Sequence, residues 1–67
     1  MRLSQREEEI MDLVSQGYSD KEMAAELEIS TRTIQTYITR INLKLRAKNR
    51  ANAVAIYIKK QEDSSSR

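Results

Sequence analysis

The sequence predicts an all-α domain made of four helices. Its 67 residues contain no proline and one glycine, Gly17, so residues that break helices are almost absent. Alanine, leucine, glutamate, lysine and arginine, which accept helical backbone most readily, are common. Apolar residues recur every three or four positions, which is the period of a helix with one buried face.

The size and composition of the chain exclude several kinds of protein. A chain of 67 residues forms one domain, which we expect to span residues 1–61 and to be followed by a disordered polar tail over 62–67. Cysteine and histidine are both absent, which removes disulfides, the commonest metal ligand and the commonest general base. Because a glycine-rich phosphate loop is also missing, we predict no catalytic residue, no metal, no cofactor and no small-molecule ligand. An enzyme is therefore a poor hypothesis.

The first two helices each begin with the pattern Ser-x-x-Glu. Ser4 with Glu7 forms a predicted capping box for a helix over about 5–16, which Gly17 can close in the left-handed conformation. Ser19 with Glu22 predicts a second, short helix over about 20–27. We interpret the outward acids of the first helix as a solubility feature: Glu8, Glu9 and Asp12.

A third helix follows after a turn of three residues. Ser30 is its predicted N-cap, the helix spans about 31–45, and Ile29 is the apolar residue of the turn. A short helix, a tight turn and a longer helix form a helix-turn-helix unit. The sequence therefore predicts a four-helix domain in which helices two and three form that unit.

The third helix has two distinct faces. Its predicted core stripe consists of Ile34, Ile38, Ile41 and Leu45. The opposite face carries Arg32, Thr36, Thr39 and Leu43, flanked by Gln35 and Arg40. Hydroxyl, amide and guanidinium groups suit phosphates and base edges, although a solvated polar face is the simpler alternative. Leu43 has no explanation in this pattern.

The fourth helix is predicted over about 50–61, with Asn49 as its N-cap. Ala53 and Tyr57 point inward. A second apolar stripe lies on the other side, at Ala51, Ala55 and Ile58. Three apolar residues at helical spacing on a small domain indicate a partner surface, although scattered apolar residues on a surface are also ordinary.

The charges are divided along the chain. Residues 1–28 hold eight acidic and three basic side chains, whereas residues 29–61 hold eight basic and no acidic ones. A long stretch without carboxylates is typical of a surface that meets phosphates. The sequence has no run of about 18 apolar residues and no signal-peptide pattern, so we expect a cytoplasmic protein with no membrane contact.

Five short motifs stand in a fixed order along the chain: Leu3-Ser4-x-Arg6-Glu7-x-Glu9-Ile10, Gly17-x-Ser19-x-Lys21-Glu22-Met23-Ala24, Leu27-x-Ile29-Ser30-x-x-Thr33-Ile34, Lys44-Leu45 and Asn49-Arg50-x-x-Ala53-Val54. This ordered set resembles the LuxR/GerE-type helix-turn-helix and covers about residues 3–58. The resemblance implies a bacterial transcriptional regulator that binds double-stranded DNA as a homodimer, in the cytoplasm and on the nucleoid. In that family, helix three enters the major groove and helix four pairs the subunits.

The resemblance also implies roles for individual residues. Base contacts would come from Gln35, Thr36 and Thr39. Phosphate contacts would come from Lys21, Ser30, Thr31, Thr33, Tyr37, Lys44, Lys48 and Arg50, to which the outer-face pattern adds Arg32 and Arg40. The dimer interface would comprise Ala51, Ala55 and Ile58.

This chain departs from the usual residues of that family at three positions. The position of Gln35 is often Lys or Arg, and that of Tyr37 is often His, so base preference does not carry over from relatives. Arg46 stands where glycine is usual after helix three. The chain also has no sensor or phosphoacceptor domain, so it is either a stand-alone regulator or, as we expect, the C-terminal output domain of a response regulator.

Two other functions are open on the sequence alone. The first is a promoter-recognition module similar to region four of sigma factors, for which RNA polymerase would be the partner. The second is a helical protein-interaction module whose basic face docks an acidic partner.

Overall fold

The computed structural model describes the backbone of residues 3–65 and the side chains of residues 3–60. Four helices follow one another: α1 (Gln5–Ser15), α2 (Asp20–Leu27), α3 (Thr31–Leu45) and α4 (Arg50–Ser65). The described residues contain no strand. The predicted all-α, four-helix fold is thus confirmed, with α2 and α3 joined by the short turn of a helix-turn-helix.

Local side-chain contacts start each helix where the sequence predicts. In α1, Ser4 Oγ accepts from the Glu7 amide at 3.2 Å, and the Ser4 amide donates to Glu7 Oε1 at 2.8 Å. The Ser19–Glu22 pair repeats this arrangement at α2, at 3.1 and 2.8 Å. Both capping boxes are confirmed, because each pair satisfies backbone amides that have no partner inside the helix.

The two later helices have single caps. Ser30 Oγ accepts from the Thr33 amide at 3.0 Å at the start of α3. Asn49 Oδ1 accepts from the Asn52 amide at 2.8 Å at the start of α4. Both predicted N-cap residues therefore do what the sequence indicates.

The core is formed around α3, which packs against each of the other helices. The predicted stripe of α3 is buried in full: Ile34, Ile38, Ile41 and Leu45. The other helices contribute Ile10, Met11, Val14, Met23, Ala24, Ala53 and Tyr57. Because the core stripe fixes the rotation of α3 about its axis, it also decides which α3 side chains face solvent.

Among the side chains of residues 3–60, Glu7 is the charged residue that is buried, with 3% of its surface exposed. Its Oε1 accepts from Lys44 Nζ at 2.8 Å, in addition to the Ser4 amide. Burial raises the pKa of the Glu7 carboxyl, but the hydrogen bonds from Lys44 and Ser4 and the Lys44 charge outweigh it, so the pKa lies below its usual value. The N-terminal capping box of α1 is thereby tied to the last turn of α3.

A second long-range contact ties α4 to α1. The Tyr57 hydroxyl donates to Asp12 Oδ1 at 2.6 Å. Burial, followed by the hydrogen bond to Asp12 and the charges of Asp12 and Glu8, raises the pKa of Tyr57. Asp12, which the sequence presents as an outward solubility residue, therefore also partners a core tyrosine.

Three helix ends use left-handed backbone. Gly17 has a φ of 95°, as predicted for the residue that closes α1. Glu28 ends α2 at φ 58° and Arg46 ends α3 at φ 56°, although neither is glycine. A side chain with a Cβ is disfavoured there. The loop after α3 thus keeps the left-handed turn despite the arginine.

Helix α4 is longer than the sequence predicts. Its backbone is helical to Ser65, whereas the prediction placed the end at about 61 and disorder from 62. No glycine or proline follows Tyr57 to stop the helix, and residues 59–62 are good helix formers. The predicted end of this helix was therefore too early. The disorder predicted for residues 62–67 stays a prediction, and residues 66–67 lie outside the described residues.

Candidate nucleic-acid interface

The outer face of α3 is a solvent-exposed polar surface opposite the core. At about 100° per residue, the core stripe and the outer face lie on opposite sides of the helix axis. All five predicted polar residues on that side are exposed: Arg32, Gln35, Thr36, Thr39 and Arg40. The structure therefore brings the three predicted base-contact residues together on one face that also carries Arg32 and Arg40.

The two threonines of this face are bonded to their own helix. Thr36 Oγ1 donates to the Arg32 carbonyl at 3.2 Å, and Thr39 Oγ1 donates to the Gln35 carbonyl at 3.0 Å. A hydroxyl carries one proton, so neither side chain has a donor left for another partner, although each oxygen can still accept.

The N-terminal end of α3 is suited to an anion. Ser30, Thr31 and Thr33 are all exposed there, and Ser30 Oγ and Thr33 Oγ1 lie 2.8 Å apart. The first turn of α3 holds no acidic residue. The amides at a helix N-terminus carry partial positive charge, so the geometry and charge of this end suit an anion. Lys21, on α2, is exposed as well.

Two predicted phosphate contacts are engaged inside the domain. Lys44 pairs with Glu7, and Arg50 Nη2 lies 2.5 Å from Asp20 Oδ1. About two fifths of each basic side chain is still exposed, at 37% for Lys44 and 40% for Arg50. Both cations hold helices together, so any phosphate contact they make is shared with a carboxylate.

The remaining predicted phosphate contacts differ in exposure. Lys48 is exposed, and its amide donates to Asn52 Oδ1 at 2.9 Å, which orders the loop before α4. Tyr37 is half-buried and packs against the core. Part of this side chain therefore supports the core while the rest faces solvent.

The apolar stripe on α4 is exposed over the described residues. Ala51 and Ala55 face solvent, and Ile58 has 41% of its surface exposed. This stripe lies on the side of α4 away from the core residues Ala53 and Tyr57. The placement is that of a surface available to a partner.

An open groove continues from the outer face of α3 toward the loop after it. Its lining residues are Thr39, Asn42, Leu43, Arg46, Ala47 and Lys48. Among the side chains of residues 3–60, no group of three or more acidic residues is arranged to hold a metal ion. No helix within the described backbone is long and apolar enough to cross a membrane.

Comparisons with known proteins place the chain in a family. The family model described as "Bacterial regulatory proteins, luxR family" matches residues 1–57. The chain is 44% identical over 52 residues to the transcriptional regulatory protein DesR of Bacillus subtilis, a match that covers 78% of this chain and 26% of DesR. It is 39% identical over 59 residues to the oxygen regulatory protein NreC of Staphylococcus carnosus, covering 88% of this chain and 27% of NreC. The chain thus spans about a quarter of the length of the curated relatives that it matches.

Proposed function

The chain belongs to the luxR family of bacterial regulatory proteins, whose members are DNA-binding transcriptional regulators, and from this premise we propose that α3 lies in the major groove of double-stranded DNA. The observation that carries the proposal is the exposed face of α3. It presents Gln35, Thr36 and Thr39 between two arginines, opposite a fully buried isoleucine stripe. An α-helix fits the major groove, where each base pair has a distinct pattern of donors and acceptors.

Specificity would come from the base contacts of this face. Gln35 has an amide that can pair with the N6 and N7 atoms of adenine, whereas the Lys or Arg usual at this position prefers guanine. We therefore propose that this chain prefers adenine at the base pair that faces Gln35. The family match favours this function over a sigma-factor promoter module or a protein-docking module.

Affinity would come from phosphates. The proposed contacts form two groups around α3: its N-terminal end with Lys21, Ser30, Thr31, Arg32 and Thr33, and the flanking residues Tyr37, Arg40, Lys44, Lys48 and Arg50. Counterion release at such contacts weakens binding as the salt concentration rises. A plot of the logarithm of the binding constant against the logarithm of the salt concentration steepens by about 0.9 for each neutralised phosphate.

The test of the proposed groove contact is a binding-site selection from random duplex DNA. Gln35→Ala should relax the preference at one base pair by about 1–3 kcal/mol while leaving the rest of the site unchanged. Gln16→Ala, an exposed glutamine at the end of α1, is the matched control and should select the wild-type site. An unchanged preference in Gln35→Ala would show that α3 does not face the bases.

We also propose that the chain pairs on DNA through α4. The exposed stripe of Ala51, Ala55 and Ile58 supports this, because apolar residues at helical spacing on the surface of a small domain indicate a partner surface. Ile58→Asp should weaken binding to a paired site far more than binding to a half-site. Equal losses on both duplexes would exclude a dimer through this stripe, and Gln16→Asp should change neither.

The intact protein is proposed to be larger than this domain. The relatives are about four times as long as the matched region. We propose that it is the output domain of a cytoplasmic response regulator that acts on RNA polymerase. The mass of the native gene product tests this: about 8 kDa would instead mean a stand-alone regulator.

A further inference from the structure

Beyond Arg32, three residues of the α3 outer face present apolar groups, although two of them are threonines. Thr36, Thr39 and Leu43 follow one another at steps of three and four residues. At about 100° per residue they lie within about 60° of one another around the helix axis. We call these three residues the methyl strip.

The hydroxyl groups of the strip are directed to the helix backbone. The Thr36 hydroxyl donates its proton to the Arg32 carbonyl at 3.2 Å, and the Thr39 hydroxyl donates its proton to the Gln35 carbonyl at 3.0 Å. The methyl groups have no such partner, and both side chains are exposed. The part of each threonine left for a ligand is therefore a methyl group and an oxygen that can only accept.

Leu43 extends the strip by one turn. With 73% of its surface exposed, it is the more exposed of the two large apolar residues on the surface of the described chain. A single exposed leucine needs no explanation. This one lies in line with two threonine methyl groups and lines the groove after α3. Apolar surface in the middle of a DNA-facing helix has one natural counterpart in the major groove, the 5-methyl group of thymine.

We propose that α3 recognises thymine 5-methyl groups through the methyl strip. The inference rests on the proposed placement of α3 in the major groove and adds the chemistry of its contact. Gln35 would read adenine by hydrogen bonds, while Thr36, Thr39 and Leu43 would read thymine by apolar contact. The preferred half-site would then be rich in A·T pairs, although the surrounding surface is basic and polar.

Replacement of thymine by deoxyuridine in the selected duplex tests the proposal, because it removes the methyl group and leaves the hydrogen-bonding edge unchanged. The full chain is first used to select a site from random duplex DNA. Each thymine is then replaced singly. We expect two or three positions in each half-site at which the affinity falls about fourfold, the effect of exposing one buried methyl group.

Paired substitutions identify the groups on the protein. Thr36→Val and Thr39→Val keep a methyl group and remove the hydroxyl, so they should retain the preference for thymine over deoxyuridine. Thr36→Ser and Thr39→Ser keep the hydroxyl and remove the methyl, so each should bind the two duplexes equally at one position. Leu43→Ala should likewise bind the thymine and deoxyuridine duplexes equally at a third position. For each variant, the ratio of its affinities for the thymine and deoxyuridine duplexes is independent of the fraction of the variant that is folded.

The outcomes separate the inference from the function on which it rests. A selected site at which no deoxyuridine substitution changes the affinity would overturn the methyl strip and leave DNA binding in place. Loss of the preference for thymine in the valine variants but not in the serine variants would also overturn the methyl strip. That result would show that the threonine oxygens, not the methyl groups, make the contact. A chain that enriches no duplex at low salt would overturn both the inference and the proposed function.

Discussion

The ion pair between Glu7 and Lys44 should be a main tertiary support of α3, and a double-mutant cycle can measure it. Glu7→Gln keeps a side chain that can complete the capping box with Ser4 and removes the charge opposite Lys44. Lys44→Met keeps a long apolar side chain and removes the ammonium group. The coupling between the two changes isolates the pair from the loss of each residue alone.

The structure sets the expected magnitude. Two unit charges about 4 Å apart attract by about 1 kcal/mol in water and about 4 kcal/mol at an effective dielectric constant of 20. The Glu7 side chain is 4% exposed, whereas that of Lys44 is 37% exposed, so the pair lies between these limits. Loss of one partner of a fully buried pair costs about 3–5 kcal/mol, and exposure of Lys44 lowers this value. We expect a coupling of about 2 kcal/mol, consistent with a hydrogen bond to a charged group.

Urea unfolding of the wild type, both single variants and the double variant at pH 7 provides the measurement. Arg6 and Glu9 form the control pair, since they lie 3.2 Å apart on α1 with 40% and 45% of their side chains exposed. Their coupling should not exceed about 0.5 kcal/mol. A Glu7–Lys44 coupling no larger than that of the control pair would refute the structural role of the buried carboxylate.

The same cycle has a defined pH dependence. The pKa of Glu7 in the folded chain lies below its ordinary value of 4.5. The unfolded chain therefore takes up the proton first as the pH falls, and the stabilisation is complete only above the unfolded pKa. We expect the deficit of Glu7→Gln relative to the wild type to be constant near neutral pH and to shrink as the pH is lowered through the folded pKa. A deficit that grows on acidification would contradict the direction of the shift.

Three further predictions concern α4, the end of α3 and the DNA face. Tyr57→Phe should lower the free energy of unfolding by about 1 kcal/mol at pH 7, because it removes the hydrogen bond to Asp12. Burial and Asp12 raise the pKa of Tyr57, so the tyrosine of the unfolded chain ionises first as the pH rises. Urea unfolding should therefore show the deficit of the variant shrinking above about pH 10. Arg46→Gly should raise the free energy of unfolding by about 0.5–1 kcal/mol, because a φ of 56° suits glycine. Arg46→Ala should not raise the free energy of unfolding, since alanine also has a Cβ. Equal thermal stability of the two variants would contradict this explanation. Arg40→Ala should reduce the salt slope of binding to random duplex DNA by about 0.9, and Arg6→Ala, on α1, should leave it unchanged.

The helix starts and the core stripe of α3 were predictable because they are local. A capping box needs two residues three positions apart, and an amphipathic stripe needs only its period, so neither depends on how the chain packs. Ser4, Ser19 and Ser30 consequently mark the helix starts in the sequence as in the structure. The same stripe placed Gln35 and Thr36 on the outside.

The long-range contacts could not be predicted in the same way. Glu7 lies 37 residues from Lys44, and Tyr57 lies 45 residues from Asp12, so these pairs exist only once the helices have packed. One signal was present for Glu7, because it stands three residues before Ile10, on the buried side of α1. The end of α4 was misplaced for another reason: a polar composition was taken as a stop, although no residue there breaks a helix.

The proposed contact between the outer face of α3 and DNA can be tested residue by residue. The measurement is amide chemical-shift mapping of the full chain, titrated with its selected duplex. We predict the largest shifts from Ser30 to Leu43 and at Lys21, with little change at Glu8 on the acidic side of α1. Shifts concentrated on α1, with α3 unaffected at saturation, would contradict the account.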